Sequence, residues 1–223
     1  MQKKMAEQTF NLASRVKLNN GLSMPMIHLG VYLMSGSEAS HAVHYALEAG
    51  YRGFDSAQMY HNEKQVGHAI LDYLNKHQDL KREDIHYTSK LASNSNYDQV
   101  RKSITKSVKE CGLDYIDLFL LHSPYGGTKN RLESWRAVED AIDDGEIRIG
   151  GVSNFGEKHV SIKFRARNVD SDLLESDRRI TIQQAKNKTR CQPNRSASIQ
   201  HSLKAHGALR KERHHRRGIR TTG

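Results

Sequence analysis

Between residues 27 and 159, short β-prone runs alternate in series with stretches of helical period, and this order limits the fold more than any other feature. The runs are "IHLGV", "YRGFDSA", "DIHYTSKL", "YIDLFLLHS" and "IRIGGVSNF". The stretches between them predict a helix capped by Ser37 and stopped by Gly50, then helices over about 62–75, 97–111 and 132–144. Strand-then-helix units in series argue for a parallel sheet with crossover helices. Upstream, the "NNG" in "RVKLNNGLSMPMIHLG" separates two short β-prone runs and suits a hairpin. Beyond His159 no sustained period of 2 or 3.6 remains, only scattered Ile, Leu and Val among Lys, Arg, Ser and Gln.

Charge divides the chain at the same place. The whole carries 35 Lys+Arg and 25 Asp+Glu, of which residues 161–223 hold 16 and 5, leaving 35 − 16 = 19 basic and 25 − 5 = 20 acidic before them. All of the net +10 therefore lies in the last segment, which ends in the run "RKERHHRRGIR". The division is an extension over 1–14, a domain over 15–160 and a basic, low-order tail over 161–223. The two cysteines, Cys111 and Cys191, give neither a disulfide framework nor a metal spacing, so a reducing compartment is expected and no metal site is assigned. No apolar stretch approaches the roughly 20 residues of a membrane span, and the start lacks the apolar centre of a secretory signal, so a cytoplasmic protein is expected.

The chemistry concentrates in "FDSAQMYHNEKQVG", where Asp55 ends a strand and Tyr60 sits in the loop leading to the next helix. In a parallel β/α array such strand ends face one side, where barrel enzymes build their active sites. Lys90, His122 and the pair Ser153–Asn154 fall at equivalent places after later strands. A tyrosine beside a lysine and a carboxylate makes a proton donor, because the cation lowers the phenol pKa and the carboxylate holds the cation.

Through "VKLNNGLSMP", "GFDSAQMYHNEKQVGHAI", "DYIDLFLLHSPYGG" and "GEIRIGGVSNFGEKHV", residues 15–160 resemble the aldo-keto reductase family. "LLHSPYGG" with "ESWRAVEDAIDDGEIR" is most similar to its fungal and yeast-type members. The resemblance implies an eight-stranded β/α barrel, here partial with about five units, that reduces an aldehyde or ketone with NADPH. It implies that Tyr60 is the general acid, that Asp55 and Lys90 tune it and that His122 orients the substrate carbonyl. Ser153 and Asn154 would hydrogen-bond the nicotinamide carboxamide and so select the ring face that delivers hydride. Two departures bear on substrate choice more than on chemistry: Ser123 stands where a Trp commonly follows the histidine, and "IHLG" replaces "GLG".

The family would continue past "GEKHV" with strands like "PAVNQIELHPF" and "VEAYSPL", and neither is present. Read one base later, codons that permit "CQPNRSASIQ" also permit "VNQIDLHPF", and codons that permit "HHRRGIRTTG" also permit "IIVEAYAPL". Both strands emerge in order and in one shared frame. "HVS" can be encoded with a splice-donor-like GTAAGC, so a retained intron or gene-model error followed by an out-of-frame tail is expected. The truncated form would then lack most of the family's cofactor grip and be impaired or inactive. The second functional class is a non-catalytic binding protein whose cationic tail contacts nucleic acid or other polyanions. With Phe164 as its one aromatic residue, the tail has little with which to stack bases, and the motifs favour the reductase reading.

Overall fold

A computed structural model describes residues 10–18, 20–156 and 159. The expectations for most of the N-terminal extension and for the basic tail over 161–223 lie outside the described residues.

The "NNG" hairpin is present: β1 (Arg15–Lys17) pairs antiparallel with β2 (Ser23–Pro25), with Val16 opposite Met24. Five parallel strands follow, β3 (Leu29–Gly30), β4 (Gly53–Asp55), β5 (His86–Leu91), β6 (Leu118–Leu121) and β7 (Gly150–Val152), and they lie side by side in chain order. Helices α1 (Gly36–Glu48), α2 (Glu63–Lys76), α3 (Tyr97–Cys111) and α4 (Gly127–Asp143) connect them. A parallel sheet whose neighbours are consecutive strands, each joined by a crossover helix, is the first arc of a β/α barrel.

Period-2 alternation sorts the strand residues onto two faces. Phe54, Tyr87, Leu91, Phe119, Leu121 and Val152 join one large core with Val43, Leu47, Ile70, Ile104 and Val138 of the helices. Phe54, Tyr87 and Phe119 are wholly buried there, and each phenylalanine contributes about 1.5–3 kcal/mol relative to exposure. Leu118, Leu120 and Ile149, of opposite parity, form a separate cluster against Leu18 of the hairpin loop. Asp55 shares the parity of Gly53, and Lys90 that of His86, so both point away from the helix-side core.

Helix boundaries follow local chemistry. Ser35, rather than the expected Ser37, caps α1: its hydroxyl accepts from the Glu38 N–H, and the Ser35 N–H donates back to the Glu38 carboxylate at 2.8 Å. This capping box starts the helix earlier than the Ser37 reading. Gly50 stops the chain at φ +93°, as expected. The α4 helix begins at Gly127, five residues before the expected Leu132, because its first turn is polar and largely exposed and so carries no apolar period. α2 and α3 touch closely at Gly67, where a Cβ would fall 1.9 Å from the Cys111 carbonyl oxygen.

Among the described residues no helix is long and apolar enough to cross a membrane, and no three metal-ligating side chains converge.

Candidate active site

The C-terminal ends of β4, β5, β6 and β7 bring the six sequence-derived residues to one end of the sheet. Asp55 is the last residue of β4, Lys90 the penultimate residue of β5, His122 follows β6, and Ser153 and Asn154 follow β7. Tyr60 closes a 3-10 turn, Gln58–Tyr60, between β4 and α2.

Lys90 is the hub. Its side chain is only 4% exposed, and its Nζ forms an ion pair with Asp55 Oδ1. The same nitrogen donates to the Ser56 carbonyl at 2.8 Å and to the Tyr60 hydroxyl at 3.3 Å. Three acceptors therefore use all three ammonium protons, which fixes the cation beside the phenol. The ring of His122 meets the Tyr60 ring edge-on, with centroids 5.8 Å apart.

Burial first, then the charge of Asp55 and the neighbouring Tyr32, push the Tyr60 phenol up to about 12. Burial thus outweighs the lowering expected from the Lys90 cation. The cation is already bound by a carboxylate and a carbonyl, so its field at the phenol is offset and desolvation wins. The consequence is a phenol that holds its proton near neutral pH.

Ser153 is buried and Asn154 exposed. The Asn154 amide donates to the His122 carbonyl at 2.8 Å and to Ser153 Oγ at 3.1 Å, and the residue has φ +61°. Asn is among the few side chains that adopt this left-handed conformation readily. The tie to His122 holds the β7 end against the β6 end.

The sequence reading left three neighbours without a role. Tyr32, after β3, packs on Tyr60 with ring centroids 5.0 Å apart. Asn62, buried, accepts from Ser56 Oγ at 2.8 Å and donates to the Val31 and Met34 carbonyls at 3.1 Å each, clamping the turn that carries Tyr32. Gln58 ties the Tyr60 turn to α3. "AQMYHN" displays Gln58 and Asn62, but apart from Ser56 their partners are remote in sequence and no spacing reveals them.

The sequence model of the aldo/keto reductase family matches residues 27–222, a span that runs past the motif-bearing stretch into the basic segment. An uncharacterized oxidoreductase of Schizosaccharomyces pombe is 52% identical over 149 residues, covering 67% of this chain and 53% of that protein. Glyoxal reductase of Bacillus subtilis is 39% identical over 152 residues, covering 67% of this chain and 52% of the enzyme. A crystal structure of an aldo/keto reductase from Brucella melitensis superposes with a TM-score of 0.61 at 38% identity, covering 66% of this chain and 56% of that one. The chain thus spans about half the length of the curated relatives it matches.

Proposed function

The chain belongs to the aldo/keto reductase family, and from that premise we propose that it is an oxidoreductase that converts a small aldehyde or ketone to an alcohol with NADPH. When bound, NADPH supplies the hydride that reaches the carbonyl carbon. Tyr60 donates its phenolic proton to the carbonyl oxygen. Lys90 stabilises the phenolate left behind, Asp55 holds Lys90, and solvent returns the proton. His122, edge-on to Tyr60, orients the carbonyl oxygen toward the phenol. Ser153 and Asn154 are the groups we assign to the nicotinamide carboxamide.

The observation that carries this reading is the convergence of Asp55, Lys90 and Tyr60 in one hydrogen-bonded unit, with His122 against the phenol. We propose that the activity is impaired in this chain, which spans about half the length of the curated relatives it matches. The protein is proposed to act in the cytoplasm and to need no nucleic-acid partner.

The test is consumption of NADPH by the purified chain in the presence of a generic aldehyde. A slow, aldehyde-dependent rate that disappears in Tyr60→Phe is expected. A rate that survives Tyr60→Phe undiminished contradicts the assignment of Tyr60.

A further inference from the structure

The turn that carries Tyr60 has little apolar packing on the side facing α3. It is three residues long, none of them buried, and its N-cap, Ala57, supplies no side-chain hydrogen bond. Its backbone contributes Tyr60 N–H to the Ala57 carbonyl at 2.9 Å and His61 N–H to the Gln58 carbonyl at 3.2 Å. On the side facing α3 lies a cleft of about 470 Å³ bordered by Gln58, Ala92, Ser103 and Ser107, and a second space of about 210 Å³ also touches Gln58 and Ser103. Apolar packing therefore does not fix the turn against the helix.

Gln58 crosses that gap. Its amide nitrogen donates to Ser103 Oγ at 2.8 Å, to Ser107 Oγ at 2.9 Å and to the Ser103 carbonyl at 3.2 Å, two hydrogens shared among three acceptors. Its amide oxygen accepts from the Ala92 N–H at 2.8 Å. Ala92 lies two residues beyond Lys90 in sequence. One side chain thus binds the Tyr60 turn, α3 and the end of the Lys90 strand together.

We infer that Gln58 is a positioning residue that sets the Tyr60 hydroxyl against the Lys90 ammonium by anchoring the Tyr60 turn to α3 and to the chain beyond β5. The inference rests on the reading of Tyr60 as the proton donor. A long amide is suited to this task because it has both donors and an acceptor and spans the cleft without filling it. A shift of the phenol by as little as an ångström costs up to about a hundredfold in rate when proton and hydride must arrive together.

The experiment is an NMR titration of the full chain carrying ring-labelled tyrosine, with the Tyr60 signal assigned by its loss in Tyr60→Phe, alongside aldehyde reduction. In Gln58→Met, of similar length but without the hydrogen bonds, the turn opens to water. The phenol then titrates below about 12, toward the ordinary value of about 10. The same variant loses about tenfold to a hundredfold in kcat with KM changed less. Gln58→Glu keeps the acceptor for Ala92 but loses the donor to Ser103 and Ser107, whose own hydroxyl proton already goes to Glu63, so it recovers only part of both. Ser103→Ala, a milder cut, shifts the titration in the same direction by less. An unshifted titration in Gln58→Met, or in Ser103→Ala where Gln58→Met does not fold, overturns the inference. The titration needs no turnover. A chain with no reductase activity but a shifted Gln58→Met titration contradicts the proposed function and supports the anchor, whereas activity with an unshifted titration does the reverse.

Discussion

The Lys90 ammonium lies 3.3 Å from the Tyr60 hydroxyl while it is bound to the Asp55 carboxylate. The pair is nearly neutral at the phenol, and burial then dominates its acidity. Asp55 is the second cause of the raised phenol pKa, so Asp55→Asn is expected to lower it from about 12 by freeing the positive field of Lys90. Spectrophotometric titration of tyrosine ionisation, as a difference against Tyr60→Phe, measures this shift. Lys90→Met removes the cation and leaves the carboxylate, so it should raise the phenol further and cost about 10²–10⁴ in rate.

Glu63 is buried at the start of α2, where it accepts from the hydroxyl groups of Ser89 and Ser107, and desolvation raises its carboxyl pKa. A raised folded-state pKa means that the folded chain holds the proton more tightly. Its contribution to stability is present below the unfolded carboxyl pKa and is lost as pH rises through the folded one. Glu63→Gln should therefore raise the melting temperature at pH 7 by roughly 2–4 °C, the shift that about 1 kcal/mol produces at this size. The gain should shrink as pH falls toward about 4. Melting curves across that range check it.

His86 has the opposite sign. It stacks on His28 at 5.1 Å between centroids, and burial, followed by His28, Arg15 and Arg82, lowers its pKa to about 3. A depressed folded-state pKa leaves the unfolded chain the better base, so stability is present above about pH 6.5 and falls as pH drops toward 3. His86→Leu should flatten the acid limb of urea unfolding measured between pH 7 and 4, by on the order of a few kcal/mol.

Gly67 tests the packing of α2 on α3. Its missing Cβ would meet the backbone at the Cys111 carbonyl, which cannot move without shifting the end of α3. Gly67→Ala gains in helix propensity but is expected to lose about 1–3 kcal/mol overall through overpacking. Chemical denaturation of the two forms gives the difference directly.

Strand-end residues were legible in the sequence because chain order and parity place them. Asp55, Lys90 and His122 each follow an apolar run, and parallel pairing brings those ends together whatever the loops do. The start of α4 was hidden by a polar first turn, and the cap of α1 by two serines, Ser35 and Ser37, that differ only in which of them finds Glu38 three residues on. Tyr32, Gln58 and Asn62 were on the page as letters but not as partners. Apart from the Ser56–Asn62 bond, their roles come from side chains reaching across 28 to 49 positions, a distance at which no local period carries a signal. The net acidity of Tyr60 stays hidden for a related reason, since the motif displays the cation but not the burial.

The account stands on proton and hydride delivery to one carbonyl at Tyr60, and isotope transfer tests this most directly. The full chain is given an aldehyde and NADPH carrying deuterium at the transferable nicotinamide position, and the alcohol is weighed by mass spectrometry. The account predicts slow formation of alcohol with one deuterium on the carbinol carbon, and none in Tyr60→Phe. Alcohol without the label, or the same labelled yield from Tyr60→Phe, contradicts it.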